Sequence, residues 1–164
     1  MTVQTIVFII LGLVTLGSAI AVVTTRNLFH SALYLILSFV GVAGFYILLE
    51  APFLAAVQIL VYVGAIAVLI VFAIMLTRRL MAKDLVQRNA QWGWSALGAV
   101  LLLVVLVVVL VRVNWPIVET AVPGDAITIL GKELMSTYVV PFEVASILLL
   151  VALVGSIIIA REIE

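Results

Sequence analysis

The chain has no cysteine. Disulfides, thiolate metal sites and a cysteine nucleophile are excluded with it. A single histidine, His30, is too few to build a metal site. Charge is scarce and balanced: eight basic and eight acidic residues leave a formal charge of zero over 164 residues. No basic face is left to meet nucleic acid. The signatures of soluble enzymes are missing too: no phosphate-cradling glycine loop, no nucleophile elbow, no metal-spaced His/Glu pair. The N-terminus carries no basic residue ahead of its apolar run and no small-residue cleavage site before a soluble domain. It reads as a retained span rather than a signal peptide.

What is present is hydrocarbon. The chain is 67% hydrophobic and 10% charged, where a soluble domain is about 45–50% apolar and about 25% charged. Long apolar runs without strand-like alternation favour helices over a barrel. The expected fold is all-α: one polytopic membrane domain with five transmembrane helices, each of about 20 residues, at 3–23, 28–49, 53–76, 94–113 and 138–160. The links "TTRN" and "EAP" are so short that the first three spans must form antiparallel hairpins. The third link, "TRRLMAKDLVQRNAQWG", is polar and basic. The fourth holds two of the four prolines and a candidate amphipathic helix, "DAITILGKELM". The fourth span contains "VLLLVVLVVVLV", with no polar residue, and is expected to face lipid.

Orientation follows from basic residues, which collect on the cytoplasmic side. Arg26, Arg78, Arg79, Lys83, Arg88 and Arg161 fall on one side of a five-span chain, and Arg112 and Lys132 on the other. The N-terminus is therefore expected outside and the C-terminus in the cytoplasm. Trp92, Trp94 and Trp115 flank the fourth span, as interfacial aromatics do.

Polar groups inside spans are costly in lipid, so each calls for a reason. In "QILVYVGAIAVLIVFAIML", at α-helical spacing, Ala55, Gln58, Tyr62, Ala65, Ile66, Leu69 and Ala73 share one face, with Gly64 roughly opposite. Glycine within a helix costs about 1 kcal/mol relative to alanine and loosens the hydrogen-bond ladder. A one-residue π-bulge near Tyr62–Gly64 would re-aim everything after it by about 100°, and such bulges favour functional sites. The plainer reading is that Gly64 and Ala65 are small residues for close helix packing. Glu143 lies about one turn inside the fifth span, after Pro141. It either favours the positive end of the helix dipole or contacts a polar partner or a proton path. Glu50, before Pro52, reads as an interfacial, solvated acid. Arg26 and His30 close the first hairpin, and Ser31, Tyr34 and Ser38 read as packing residues able to hydrogen-bond between helices. No Lys or Asp sits near the centre of any span, so the chain looks unable to run a transport cycle alone. It reads as one part of a larger membrane machine.

These residues resemble a known family. "APFLAAVQILVYVGAIAVLIVFAIML" is similar to the signature third helix of chain J (chain 6) of proton-pumping NADH:quinone oxidoreductase, respiratory complex I. The matching positions are Phe53, Leu54, Ala55, Gln58, Val61, Tyr62, Gly64, Ala65, Ile66, Val68, Leu69 and Phe72. "FEVASILLLVALVGSIIIARE" resembles the family's fifth helix through Glu143, Ser146, Leu148 to Leu150, Ala152 and Gly155, and "RNLFHSALYLILSFVGVAGFYILL" resembles the second. The likeness runs in order over nearly the whole chain. Ala67 departs from it, standing where the family often has Met, which suggests looser packing after the glycine.

The resemblance implies a non-redox, non-catalytic subunit that couples quinone reduction to proton translocation. It implies that the π-bulge of the third helix forms and relaxes as a switch. Gln58, Tyr62, Gly64, Ala65 and Glu143 are then the switch and proton-path candidates. No cofactor or metal is expected on this chain, with NAD, FMN, iron–sulfur clusters and quinone on partner subunits. The implied partners are chains H, A and K, the antiporter-like chains and membrane lipid. The implied location is the cell inner (cytoplasmic) membrane, with the mitochondrial inner membrane as the organellar equivalent. Two other classes stay open at this point: a subunit of a multisubunit cation/proton antiporter without redox partners, and a purely structural scaffold.

Overall fold

A computed structural model describes residues 3–77, 91–114 and 124–161. Backbone polar groups in lipid must be satisfied within their own segment, and each long apolar run winds into a helix accordingly. In chain order these are α1 (Val3–Thr24), α2 (Leu28–Leu48), α3 (Pro52–Thr77), α4 (Trp92–Arg112), α5 (Ala126–Met135) and α6 (Val139–Ala160). All but α5 are long and apolar enough to cross a membrane. Among the described residues there is no strand. The fold is all-α, as the hydropathy demands. The basic residues Arg78, Arg79, Lys83 and Arg88 of the third link lie outside the described residues, as do Trp115, Pro116 and Pro123. The chain falls into two compact units, Met1–Glu119 and Thr120–Glu164.

In the first unit α1 and α2 form a tight antiparallel hairpin. Asn27 caps α2, its side-chain oxygen accepting from the Phe29 N–H at 3.0 Å. Ser31 Oγ donates across the turn to the Val22 carbonyl at 2.9 Å and to the Thr25 carbonyl at 3.3 Å. Deeper in, the Thr15 carbonyl accepts from Ser18 Oγ at 2.9 Å and from Ser38 Oγ at 3.5 Å. Small residues then bring the backbones together. A Cβ at Gly41 would run into Thr15 Oγ1, and one at Gly44 would meet Leu11 Cδ2 at 2.7 Å. Phe8 and Phe45 close the far end edge to face, 5.5 Å apart. Thr15 Oγ1 is left buried with no hydrogen-bond partner, which costs roughly 1–3 kcal/mol.

The turn from α2 into α3 has the Schellman pattern. The Ala51 N–H donates to the Tyr46 carbonyl at 2.9 Å and the Glu50 N–H to the Ile47 carbonyl at 3.0 Å. The pattern needs a left-handed residue, usually glycine. Here Glu50 takes it, with φ 55°. Pro52 then opens α3 at its first turn, where a missing N–H costs nothing. Every residue of α4 is exposed on the chain, so nothing in its own unit covers the span that the sequence expects to face lipid.

In the second unit α5 occupies the stretch the sequence marks as amphipathic, and it packs against α6. The turn between them is closed by the Tyr138 N–H donating to the Glu133 carbonyl at 2.9 Å.

Candidate functional site

α3 is not a uniform helix. It starts α-wound over Pro52–Val57, becomes π-helical over Gln58–Ala67, and returns to α over Val68–Thr77. The sequence anticipates a distortion of one residue near Tyr62–Gly64. The structure has ten residues of wide winding around that point. Local chemistry favours it. Ile59, Val61, Val63 and Ile66 are β-branched and crowd the preceding turn of an α-helix. Gly64 weakens the α state further. Pi turns bond five residues back, and five residues before Gly64 is Ile59. A Cβ placed on Gly64 would lie 3.3 Å from the Ile59 carbonyl oxygen. Any larger residue therefore presses on the carbonyl that the wide turn brings close.

The wide winding also corrects the face read from α periodicity. From Gln58 to Ala67 an α-helix makes about two and a half turns, which sets the two residues on opposite sides. In the structure both are buried, Gln58 at 6% and Ala67 at 1% exposure, as is Ala55. Ala65, Ile66, Leu69 and Ala73, expected on the same face, are exposed instead. The buried side of the π segment packs against α2. Ala67 is the most enclosed of the buried apolar residues, so packing after the glycine is close, where the sequence suggested it would be looser.

The candidates are thus unequal. Gln58 is a polar side chain buried in the helix packing. Tyr62 is 43% exposed on the chain, and its ring meets Phe39 of α2 edge to face, with centroids 5.5 Å apart and planes at 73°. Gly64 and Ala65 lie on the exposed side of the segment. Gln58, Tyr62, Gly64 and Ala65 belong to the first unit, and Glu143 to the second. Glu143 sits on α6 beyond its first turn, which holds no acid. The helix dipole acts within the first turn, so the helix-end reading of this acid is weak. Its side chain is exposed on the unit. Phe39 is the residue that sequence reasoning missed: nothing in one sequence says which α2 side chain meets Tyr62. Among the described residues no three metal-ligating side chains come together.

Comparison with known proteins matches the sequence to a family. Residues 18–159 fit the family described as NADH-ubiquinone/plastoquinone oxidoreductase chain 6. The chain belongs to this family. It is 42% identical over 165 aligned positions to the NAD(P)H-quinone oxidoreductase chain 6 of Synechocystis sp., covering 98% of this chain and 82% of the relative. It is 41% identical over 162 positions to the F(420)H(2) dehydrogenase subunit J of Methanosarcina mazei, covering 96% and 91%. It is 42% identical over 149 positions to a chloroplastic NAD(P)H-quinone oxidoreductase subunit 6 of Staurastrum punctulatum, covering 87% and 82%. This chain 6 family member is accordingly a membrane subunit of a multisubunit oxidoreductase of the complex I type.

Proposed function

We propose that the chain couples quinone reduction on neighbouring subunits to proton translocation by interconverting α3 between π and α winding. The observation that carries this reading is the ten-residue π segment that contains the one glycine of the helix. A switch needs two states separated by a few kcal/mol. Glycine and β-branched residues lower the α state's advantage here, while a side chain at position 64 would have to push the Ile59 carbonyl aside by a few tenths of an ångström in the π state. In the α state Ala67 turns away from α2, and the bulky Val and Ile residues around it are re-aimed. That rotation opens or closes a hydrated path alongside the helix.

The chain contributes no redox chemistry of its own. Two of the relatives are named for different electron donors, NAD(P)H and F420H2, at nearly equal identity. A family shared by complexes named for different donors supports a place for this chain on the quinone and proton side of the reaction. NAD, FMN, iron–sulfur clusters and quinone belong to partner subunits. Its partners are chains H, A and K and the antiporter-like chains. The setting is the cell inner membrane, with the N-terminus outside. Glu143 serves the proton path from the outer side.

Orientation is checked with a reporter fused after Glu164, which should be cytoplasmic, and one inserted near Gly124, which should be external. The coupling reading is tested by Gly64→Ala and Gly64→Val in the intact complex. Both should assemble and lose quinone-linked proton pumping, Val more than Ala. A Gly64→Val complex that assembles and pumps like the parent would make the glycine a packing residue and leave the scaffold reading in place.

A further inference from the structure

We infer that Phe39 on α2 is a positioning residue that holds Tyr62, and with it the π-wound register of α3, through their edge-to-face ring contact. The inference rests on the switching role proposed for α3. It adds the part that fixes which state the helix rests in.

Phe39 is well placed to act as a fixed post. It is half-buried on α2, the helix that packs along α3 through its first α turns, its π segment and its final α turns. α2 is in turn fastened to α1. Ser31 and Ser38 donate to carbonyls of the first hairpin, and Gly41 and Gly44 press directly on Thr15 and Leu11. Rotation of α2 about its own axis would break these contacts together. Tyr62 is the moving partner. It lies four residues into the wide winding that begins at Gln58. Each residue of an α-helix turns about 100°, and a π turn needs more residues to close. Tightening the winding from Gln58 therefore swings Tyr62 about the helix axis. A side chain reaches about 5 Å from that axis, so even part of such a swing carries the ring several ångströms. A ring pair at 5.5 Å and 73° does not survive that displacement, because aromatic attraction depends on both separation and tilt. The contact exists in the π state and is lost in the α state, so it biases the equilibrium toward π.

A leucine at position 39 keeps apolar bulk and loses the ring. A tyrosine keeps the ring. The reporter comes from the sequence itself: with no cysteine in the chain, Ala67→Cys introduces a single thiol at a position 1% exposed in the π state. In the α state that position turns away from α2. The experiment is the rate at which a membrane-permeant maleimide modifies this thiol in the intact complex, read as mass added to this chain. Phe39→Leu should raise the rate about two- to tenfold, the range expected for loss of one edge-to-face pair. Tyr62→Leu removes the same contact from the other side and should give a similar rise. Phe39→Leu combined with Tyr62→Leu should rise no further than either alone, and Phe39→Tyr should restore the parent rate. Gly64→Ala, measured alongside, tests the switch independently of the latch. A rise with Gly64→Ala but none with Phe39→Leu overturns the latch and leaves the switch standing. No change with either overturns both. A rise with Phe39→Tyr equal to that with Phe39→Leu means the ring contact does not position the helix.

Discussion

The α1–α2 hairpin and α3 are built from much the same residues, yet they wind differently. Both place glycine among Val, Ile, Leu and Ala. In the hairpin the two glycines of α2 sit where α1 approaches: Gly41 lies against Thr15 and Gly44 against Leu11, and the backbone stays α. In α3 the glycine lies on the exposed side, and the nearest atom to a Cβ there belongs to its own helix, the Ile59 carbonyl oxygen. Gly41 and Gly44 serve packing between helices, and Gly64 serves winding within one. The same substitution should therefore do different things in the two places: loss of assembly in the hairpin, and loss of coupling with assembly intact in α3.

The largest effect is expected at Gly41. Gly41→Val drives a branched side chain into Thr15 Oγ1, and overpacking of this kind typically costs about 1–3 kcal/mol. The hairpin should splay, and the yield of assembled complex after gentle solubilisation should fall steeply. Gly64→Ala comes next. Propensity favours the α state by about 1 kcal/mol, a shift of about fivefold in a two-state ratio, before crowding of the Ile59 carbonyl adds to it. Assembly should match the parent while the protons pumped per quinone reduced decline. Glu50→Gly acts with the opposite sign. A left-handed backbone costs a side-chain-bearing residue about 1–2 kcal/mol, and glycine's greater chain entropy returns part of that. The net expectation is a gain of about 0.5–1 kcal/mol, read as a higher denaturant midpoint of the purified complex with pumping unchanged. Glu143→Gln sharpens the account in the second unit. It should lower pumping or turnover with the complex assembled, and it should cost less than about 0.3 kcal/mol of stability, because the acid stands past the first turn of α6. Normal pumping with a neutral side chain there would remove Glu143 from the proton path.

The parts of this fold that were legible in the sequence are those set by composition. Five apolar runs become helices because lipid leaves the backbone few alternatives. The short links after Val23 and Leu49 leave the helices they join no arrangement but antiparallel neighbours. The place of the distortion was legible too, since Gly64 stands alone among Val, Ile and Tyr. Its extent was not. Once α and π winding are nearly balanced, packing against α2 decides between them, and a single helix sequence does not contain its neighbour. The face of α3 was misread for the same reason. A period of 3.6 sends Ala67 away from Gln58, whereas wider winding buries both. Phe39 could not be chosen from the other α2 side chains without the register of the two helices. The left-handed backbone at Glu50 was hidden because that position of the turn normally announces itself with glycine.

The most direct test of the central claim is the winding of α3 in the intact complex carrying Gly64→Val, determined together with its pumping. The account predicts a regular α-helix through residues 58–67, with Ala67 turned out from α2, the Phe39–Tyr62 contact broken, and quinone reduction uncoupled from proton translocation. A variant whose third helix keeps its π segment, or straightens while pumping at the parental ratio, would contradict it.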